Sequence, residues 1–254
     1  MLLCIDIGNT NITFGLYEGE ELGPRWRIRT IHDKMPDEYG ILLEQLFHHQ
    51  GYRPDQVSGI AIASVVPPLT PVFEQVCRDY LGQAGLVVDA GVRTGIRIRY
   101  DNPREVGADR VVDAAAVRAL YGVPACVVDF GTATTFDAVS AEGDYLGGAI
   151  APGIGIAAQA LFERTAKLPR VELSRPPAAI GRNTAHSIQS GLLFGYVGLV
   201  EGMVARFKDE LGPQTRVIAT GGLAETIARE TAVIDVVDPW LTLHGLRVIY
   251  GLNH

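Results

Sequence analysis

The residues best equipped for chemistry stand in two similar turns. Leu2 to Ile5 is a short apolar run of β character, Asp6-Ile7-Gly8-Asn9-Thr10-Asn11 follows, and Ile12, Phe14 and Leu16 resume the alternation of a strand around Thr13. This predicts a β-hairpin whose tip offers backbone N–H groups and hydroxyls to an anion, with Gly8 allowing close backbone approach. Asp6, at the strand end, is placed to hold a hydrated Mg²⁺ that bridges phosphate oxygens. An ordinary hairpin with an exposed acid is the competing reading. Ala125 to Val128, then Asp129-Phe130-Gly131-Thr132-Ala133-Thr134-Thr135, repeat the pattern. The acid and the glycine recur at a common offset, Asp6 to Asp129 and Gly8 to Gly131, close to half of the 254 residues. An internal duplication explains this most simply, giving two similar α/β halves with a boundary near Tyr121. Two such hairpins facing each other across a cleft would clamp a nucleotide.

A third cluster lies where Asn102-Pro103, a turn signal, leads into a helix carrying Val111, Val112, Ala115, Ala116 and Ala119 and stopping at Gly122. Asp109 and Arg110 fall at its start. In one reading Asp109 caps the helix and Arg110 is solvated. In the other, Asp109 is a general base toward a substrate hydroxyl and Arg110 binds an anionic group. Two further glycine patterns compete for attention. Gly153-x-Gly155-x-x-Ala158, with Glu172 beyond it, superficially matches a dinucleotide fingerprint and would suit an oxidoreductase, but no clean strand ending in a ribose-binding acid follows. Gly221-Gly222 closes a strand-like run and admits a flat group such as a nucleobase or ribose, or is a plain tight turn.

The elements that must position these residues alternate. Arg25-Trp26-Arg27-Ile28-Arg29 reads as a strand with one wet face, and Tyr39, Leu42, Leu43, Leu46 and Phe47 mark an amphipathic helix after Pro36. His48 and His49 in its last turn read as surface residues. Gly59 to Val66 is a buried, parallel-type strand, Thr70 to Leu81 a helix, and Leu86 to Val88 another strand, so the pattern is βαβ. Gly153 to about Ala166 reads as a helix, and Leu168 to Ala179 as a Pro-rich loop long enough for a lid or a dimer contact. Gly181-Arg182-Asn183-Thr184 opens a long apolar helix bearing Gly191, Gly195 and Gly198, a candidate subunit interface in which His186 packs or caps. A strand over Arg216 to Thr220, a helix from Leu223 to Glu230, a strand near Val233 to Val237 and a helix from Leu241 to Leu252 complete the chain.

Composition narrows the partners. A net charge of −7 and the absence of a Lys/Arg run argue against nucleic acid or an anionic membrane, and leave a small-molecule ligand. Cys4, Cys77 and Cys126 read as buried free thiols in a reducing compartment. The start of the chain lacks the pattern of a signal peptide. Tyr145 to Phe162 carries no charge but is interrupted by Pro152 and four glycines, so it does not read as a membrane span.

Taken together, Asp6-Ile7-Gly8-Asn9-Thr10, Asn102-Pro103 with Gly107-Ala108-Asp109-Arg110, Asp129-Phe130-Gly131-Thr132-Ala133-Thr134-Thr135 and Gly181-Arg182-Asn183-Thr184 resemble the type III pantothenate kinases, in the right order and over nearly the whole chain. That family belongs to the acetate and sugar kinase, Hsp70 and actin superfamily. The resemblance implies an α/β fold of two duplicated ribonuclease H-like (actin-like ATPase) domains, 1–121 and 122–254, with a nucleotide cleft between them. It implies ATP-dependent phosphorylation of pantothenate in a cytoplasmic homodimer. Asp6 to Thr13 and Thr132 would bind ATP with Mg²⁺, and Asp129 a monovalent cation, K⁺ or NH₄⁺. Tyr100, Gly107, Ala108, Asp109, Arg110 and Thr184 would bind pantothenate, with Asp109 as proton acceptor. A non-catalytic regulatory relative is the alternative on the same fold; the presence of Asp6, Asp109 and Asp129 together speaks against it, since a binding module has no need of a base.

Overall fold

In the computed structural model, which describes residues 1–254, the opening apolar run forms β1 (Leu2–Ile7) and the stretch after the turn forms β2 (Asn11–Glu18). They pair antiparallel, with Asp6 opposite Thr13. β3 (Glu21–Arg29) extends the ladder as an edge strand, exposing Arg25, Arg27 and Arg29 in alternation with Trp26 and Ile28, which pack inward. α1 (Pro36–His49) follows, with Pro36 in its first turn and the Glu38 carboxylate accepting the Met35 N–H at 2.9 Å. The continuous apolar run becomes β4 (Gly59–Ser64), parallel to β1 and buried. α2 (Thr70–Leu81) ends at Gly82 in the left-handed conformation, and β5 (Leu86–Val87) lies parallel to β4. The sheet order is β3-β2-β1-β4-β5. Leu3, Ile5 and Ile7 of β1 form a core with Tyr39, Leu43 and Phe47 of α1 and Phe73 and Val76 of α2.

After the short β6 (Arg97–Ile98) and α3 (Ala108–Leu120), the plan recurs. β7 (Ala125–Phe130), β8 (Ala133–Val139) and β9 (Asp144–Pro152) form an antiparallel meander; α4 (Ile154–Glu163) and α5 (Thr184–Leu211) follow. β10 (Arg216–Gly221) lies parallel to β7, and β11 (Val236–Val237), beyond the short α6 (Ala224–Ala228), lies parallel to β10. Read as β9-β8-β7-β10-β11, this order matches β3-β2-β1-β4-β5 strand for strand and direction for direction. The repeat seen in two short motifs is thus a repeat of a five-strand arrangement. α5 is long and apolar enough to cross a membrane by length and composition, and its Ile188, Leu192, Leu193, Val197, Val200 and Val204 line the core beside β7 and β8. The uncharged run from Tyr145 onward is a strand and then a helix.

The compact units are Met1–Leu120 with Leu241–His254, and Tyr121–Trp240. The end of the chain belongs to the first unit, because α7 (Leu241–Asn253) packs on α3 and on β1 and β4. The cause is visible at Gly245: a Cβ there would lie 2.1 Å from the Val112 carbonyl oxygen, so α3 and α7 meet backbone to backbone. Leu241, Leu243, Leu246 and Ile249 of α7 are buried, with Leu243 against Gly15 of β2.

The irregular segment between α4 and α5 is docked. Leu168, Val171 and Leu173 pack on the second core, Arg175 meets Glu230 at 2.8 Å, and Gln189 donates to Ser174 Oγ at 2.8 Å and to the Glu172 carbonyl at 3.0 Å. Gly245→Ala should destabilise the first unit by about 1–3 kcal/mol, whereas Gly251→Ala, which meets nothing within 4 Å, should be neutral or stabilising by up to about 1 kcal/mol. Denaturant midpoints compare the two; equal midpoints would mean the α3–α7 seam is looser than its geometry.

Candidate functional site

In the first unit the tip between β1 and β2 is closed by Gly8 N–H donating to the Asn11 carbonyl at 3.0 Å. A Cβ on Gly8 would stand 3.1 Å from that same oxygen, which is why glycine suits the turn. Asp6 is half-buried at the last-but-one position of its strand, and Asn9, Thr10 and Asn11 are exposed. The register places Asp6, Thr13 and Arg27 side by side on one face of three successive strands. Nothing in the residue pattern ties Arg27 to the row of Asp6, because register is a property of the folded sheet. The row aligns Asp6, Thr13 and Arg27 across β1, β2 and β3.

Asp109 stands in the first turn of α3, behind the Asn102-Pro103 turn, where Asn102 Oδ1 accepts the Arg104 N–H at 3.3 Å and Asn102 Nδ2 donates to Glu105 at 2.8 Å. Its carboxylate folds back over Gly107, where a Cβ would lie 2.5 Å from Oδ1, and that oxygen accepts the Arg110 N–H at 2.8 Å. The Asp109 carboxylate therefore takes up an N–H of its own first helical turn. Burial of the carboxyl outweighs the Arg110 N–H and the Arg110 charge, which favour ionisation, and holds its pKa above the usual aspartate range. A cap does not require a raised pKa; a proton acceptor benefits from one. Tyr100 is partly exposed on the segment leading into this turn.

In the second unit Asp129 holds the position in β7 that Asp6 holds in β1, with Thr135 and Thr220 as its cross-strand neighbours. Its carboxylate lies 3.3 Å from where a Cβ on Gly131 would be and 2.4 Å from a Cβ on Gly221, whose φ of +89° also favours glycine. Gly221 is thus explained by the carboxylate in its place, and the flat-group reading of Gly221-Gly222 is not needed. Thr132 is exposed at the hairpin tip. Gly153 abuts this hairpin: its Cβ would lie 2.1 Å from the Thr132 carbonyl oxygen. The dinucleotide reading fails on this geometry, because β9 before Gly153 is antiparallel to β8, Gly155 approaches nothing, and Glu172 lies on an irregular segment.

Asn183 caps α5, its Oδ1 accepting the His186 N–H at 2.8 Å and its Nδ2 standing 3.2 Å from His186 Nδ1. His186 belongs to the cap, as expected. Gly181 packs against the Ser187 backbone, and Thr184 is the exposed first residue of the helix. The three cysteines are buried free thiols, and burial pushes Cys77 and Cys126 up to about 12. No group of three or more His, Cys, Asp or Glu side chains gathers as a metal cage. A divalent ion here would rest on one carboxylate and on phosphate oxygens, which is how Mg²⁺ is held at nucleotides.

A model of the type III pantothenate kinase family matches residues 2–206. The chain belongs to that family. It is 56% identical to the type III pantothenate kinase of Moorella thermoacetica over 253 residues, covering all of both chains. Among solved structures, an inorganic polyphosphate/ATP-glucomannokinase from Arthrobacter sp. superposes with a TM-score of 0.53 at 15% identity, covering 100% of this chain and 99% of the other. The ethanolamine utilization protein EutJ of Carboxydothermus hydrogenoformans gives 0.57 at 14%, over 98% and 89%. These likenesses bear on fold, and the fold is that of the ribonuclease H-like, actin-like ATPase domains.

The raised pKa of Asp109 has a sign that stability can test. An acid whose folded pKa exceeds its unfolded value stabilises only at low pH, and that stabilisation is lost as pH rises through the folded pKa. At neutral pH the ionised carboxylate therefore opposes folding. Asp109→Asn keeps an oxygen for the Arg110 N–H and should leave the melting temperature at pH 7.5 unchanged or raised; a clear drop would mean that the charge stabilises the helix start.

Proposed function

We propose that the chain transfers the γ-phosphoryl group of ATP to the primary hydroxyl of pantothenate, giving 4′-phosphopantothenate, the first step of coenzyme A biosynthesis. The observation that carries the residue-level reading is the Asp109 carboxylate, folded over Gly107 and raised in pKa by burial. In this reading it accepts the hydroxyl proton as the oxygen attacks phosphorus. Phosphoryl transfer has a loose transition state with charge spread over oxygens, so the protein positions and neutralises more than it reacts.

Asp6 to Thr13 and Thr132 bind the ATP phosphates, and Asp6 holds Mg²⁺ through water. That ion, when bound, supplies positive charge at the phosphate oxygens. Asp129, in the space that Gly131 and Gly221 leave for its carboxylate, suits a large monovalent cation, K⁺ or NH₄⁺. Tyr100, Gly107, Ala108, Arg110 and Thr184 hold pantothenate; the Arg110 guanidinium suits its carboxylate.

The same reading makes the enzyme a cytoplasmic homodimer. On α5 a Cβ added at Gly191, Gly195 or Gly198 meets nothing, and Ile156 and Phe162 of α4 and Ile180 are exposed apolar side chains of the same unit. Buried free thiols fit a reducing compartment. Gly195→Arg should shift a dimer toward monomer in sedimentation; an unchanged mass would remove α5 from the interface.

A coupled ADP-release assay with ATP, Mg²⁺ and pantothenate tests the activity. Turnover should depend on pantothenate and be higher with K⁺ than with Na⁺ alone, and none in either salt would overturn the reading. Asp109→Asn should lower kcat by about 10²–10⁴-fold while ATP still raises the melting temperature. In the wild type, kcat/KM should fall on the acid side with an apparent pKa above the ordinary aspartate value of about 3.9.

A further inference from the structure

Thr30 follows β3 directly, lies outside every motif that points to the reaction, and is 8% exposed. Its hydroxyl donates to the Gly8 carbonyl at 2.6 Å, and its backbone N–H donates to the Thr10 carbonyl at 3.0 Å. One residue thus secures two carbonyls of the hairpin tip. A trans peptide points its C=O and the following N–H in opposite directions, so tying the Gly8 carbonyl to Thr30 fixes the Asn9 N–H facing away from it. Two acceptor oxygens are withdrawn from the tip and a donor is set on the other side. An anion site needs its carbonyl dipoles turned away and its N–H groups held outward.

Thr30 is itself held from behind. The next residue, Ile31, donates its N–H to the Tyr39 hydroxyl at 3.0 Å and accepts that hydroxyl through its carbonyl at 2.8 Å. Tyr39 is 2% exposed in α1, with its ring centroid 4.8 Å from that of Phe73 of α2. A continuous line therefore runs from the aromatic core through Tyr39, Ile31 and Thr30 to the carbonyls of Gly8 and Thr10, all within the first unit. A hairpin tip with three exposed polar residues has little packing of its own, and its conformation depends on such ties.

We propose that Thr30, braced by Tyr39 through Ile31, is a positioning residue that presets the Gly8–Thr10 tip for the phosphates of ATP. This rests on the reading of that tip as an ATP-phosphate site. Steady-state kinetics with each substrate varied, together with melting temperatures, separate it from a purely structural role. Thr30→Val keeps the shape and the backbone N–H but deletes the hydroxyl. It should raise KM for ATP about tenfold, the scale of one lost hydrogen bond, with KM for pantothenate unchanged within about twofold. Thr30→Ser should restore KM for ATP to within about twofold of wild type, because the donor returns. Tyr39→Phe, which deletes the tie to Ile31 but keeps the ring, should raise KM for ATP in the same direction by about threefold. It also keeps the proposal testable if Thr30→Val does not fold.

A lower melting temperature in Thr30→Val and Tyr39→Phe, with KM for ATP unchanged in both, would reduce Thr30 to a stabilising residue. Asp6→Asn distinguishes the two levels. If it impairs ATP use while the Thr30 and Tyr39 variants do not, only the brace is wrong. If none of the three alters ATP use, the phosphate reading of the tip falls with it.

Discussion

Everything else in the structure follows from one packing constraint, the junction of an antiparallel hairpin with a parallel strand along a single central strand. β1 and β7 each carry that load, pairing antiparallel on one side and parallel on the other. Such a strand is covered on both faces and must be apolar until it leaves the core, so its first polar residue is forced to its carboxyl end. Asp6 and Asp129 stand at that end. The hairpin keeps the turn beside them short, and the short turn brings Gly8 or Gly131 with its neighbouring hydroxyls next to the acid. The chemistry is local to the place where burial stops, which is why a duplicated fold supplies two acid-bearing tips.

The hairpins were legible in the sequence because strand alternation, an acid at the end of an apolar run and a Gly-containing turn are all short-range signals. The start of α5 after Gly181-Arg182-Asn183-Thr184 and the helix after Pro36 were legible for the same reason. The destination of α7 was not. Its apolar spacing shows that one face is buried but not against what, and Gly245 says only that something comes close. That the something is the Val112 carbonyl of α3, and that the last helix returns to the first unit, depends on contacts across more than a hundred residues.

Glycine is the residue whose role the sequence shows least. Gly153 belongs to a pattern that matches a dinucleotide fingerprint, yet it is required by the carbonyls of Gly131 and Thr132 packed upon it. Gly221 belongs to a pair that suits a flat ligand, yet the space it leaves is filled by the Asp129 carboxylate. A missing Cβ records that space is needed; it does not record whether a ligand, a side chain or the chain itself takes that space. Gly107 is the informative contrast, since Asp109 lies two residues away and the occupant of its space is the acid that the sequence had already singled out.

Asp109 shows how one residue satisfies two demands. The start of a helix favours a carboxylate through its free N–H groups, and a helix cap is the cheapest way to fix a side chain in one orientation. A cap in water would have a depressed pKa and be a poor base. Burial of the carboxyl reverses the shift, so the orientation is kept while basicity rises. The two readings of Asp109 that compete in the sequence are therefore compatible with one geometry. The hydrogen bond to Arg110 holds the carboxylate over Gly107, and desolvation makes the carboxylate so held a stronger proton acceptor than a solvated cap would be.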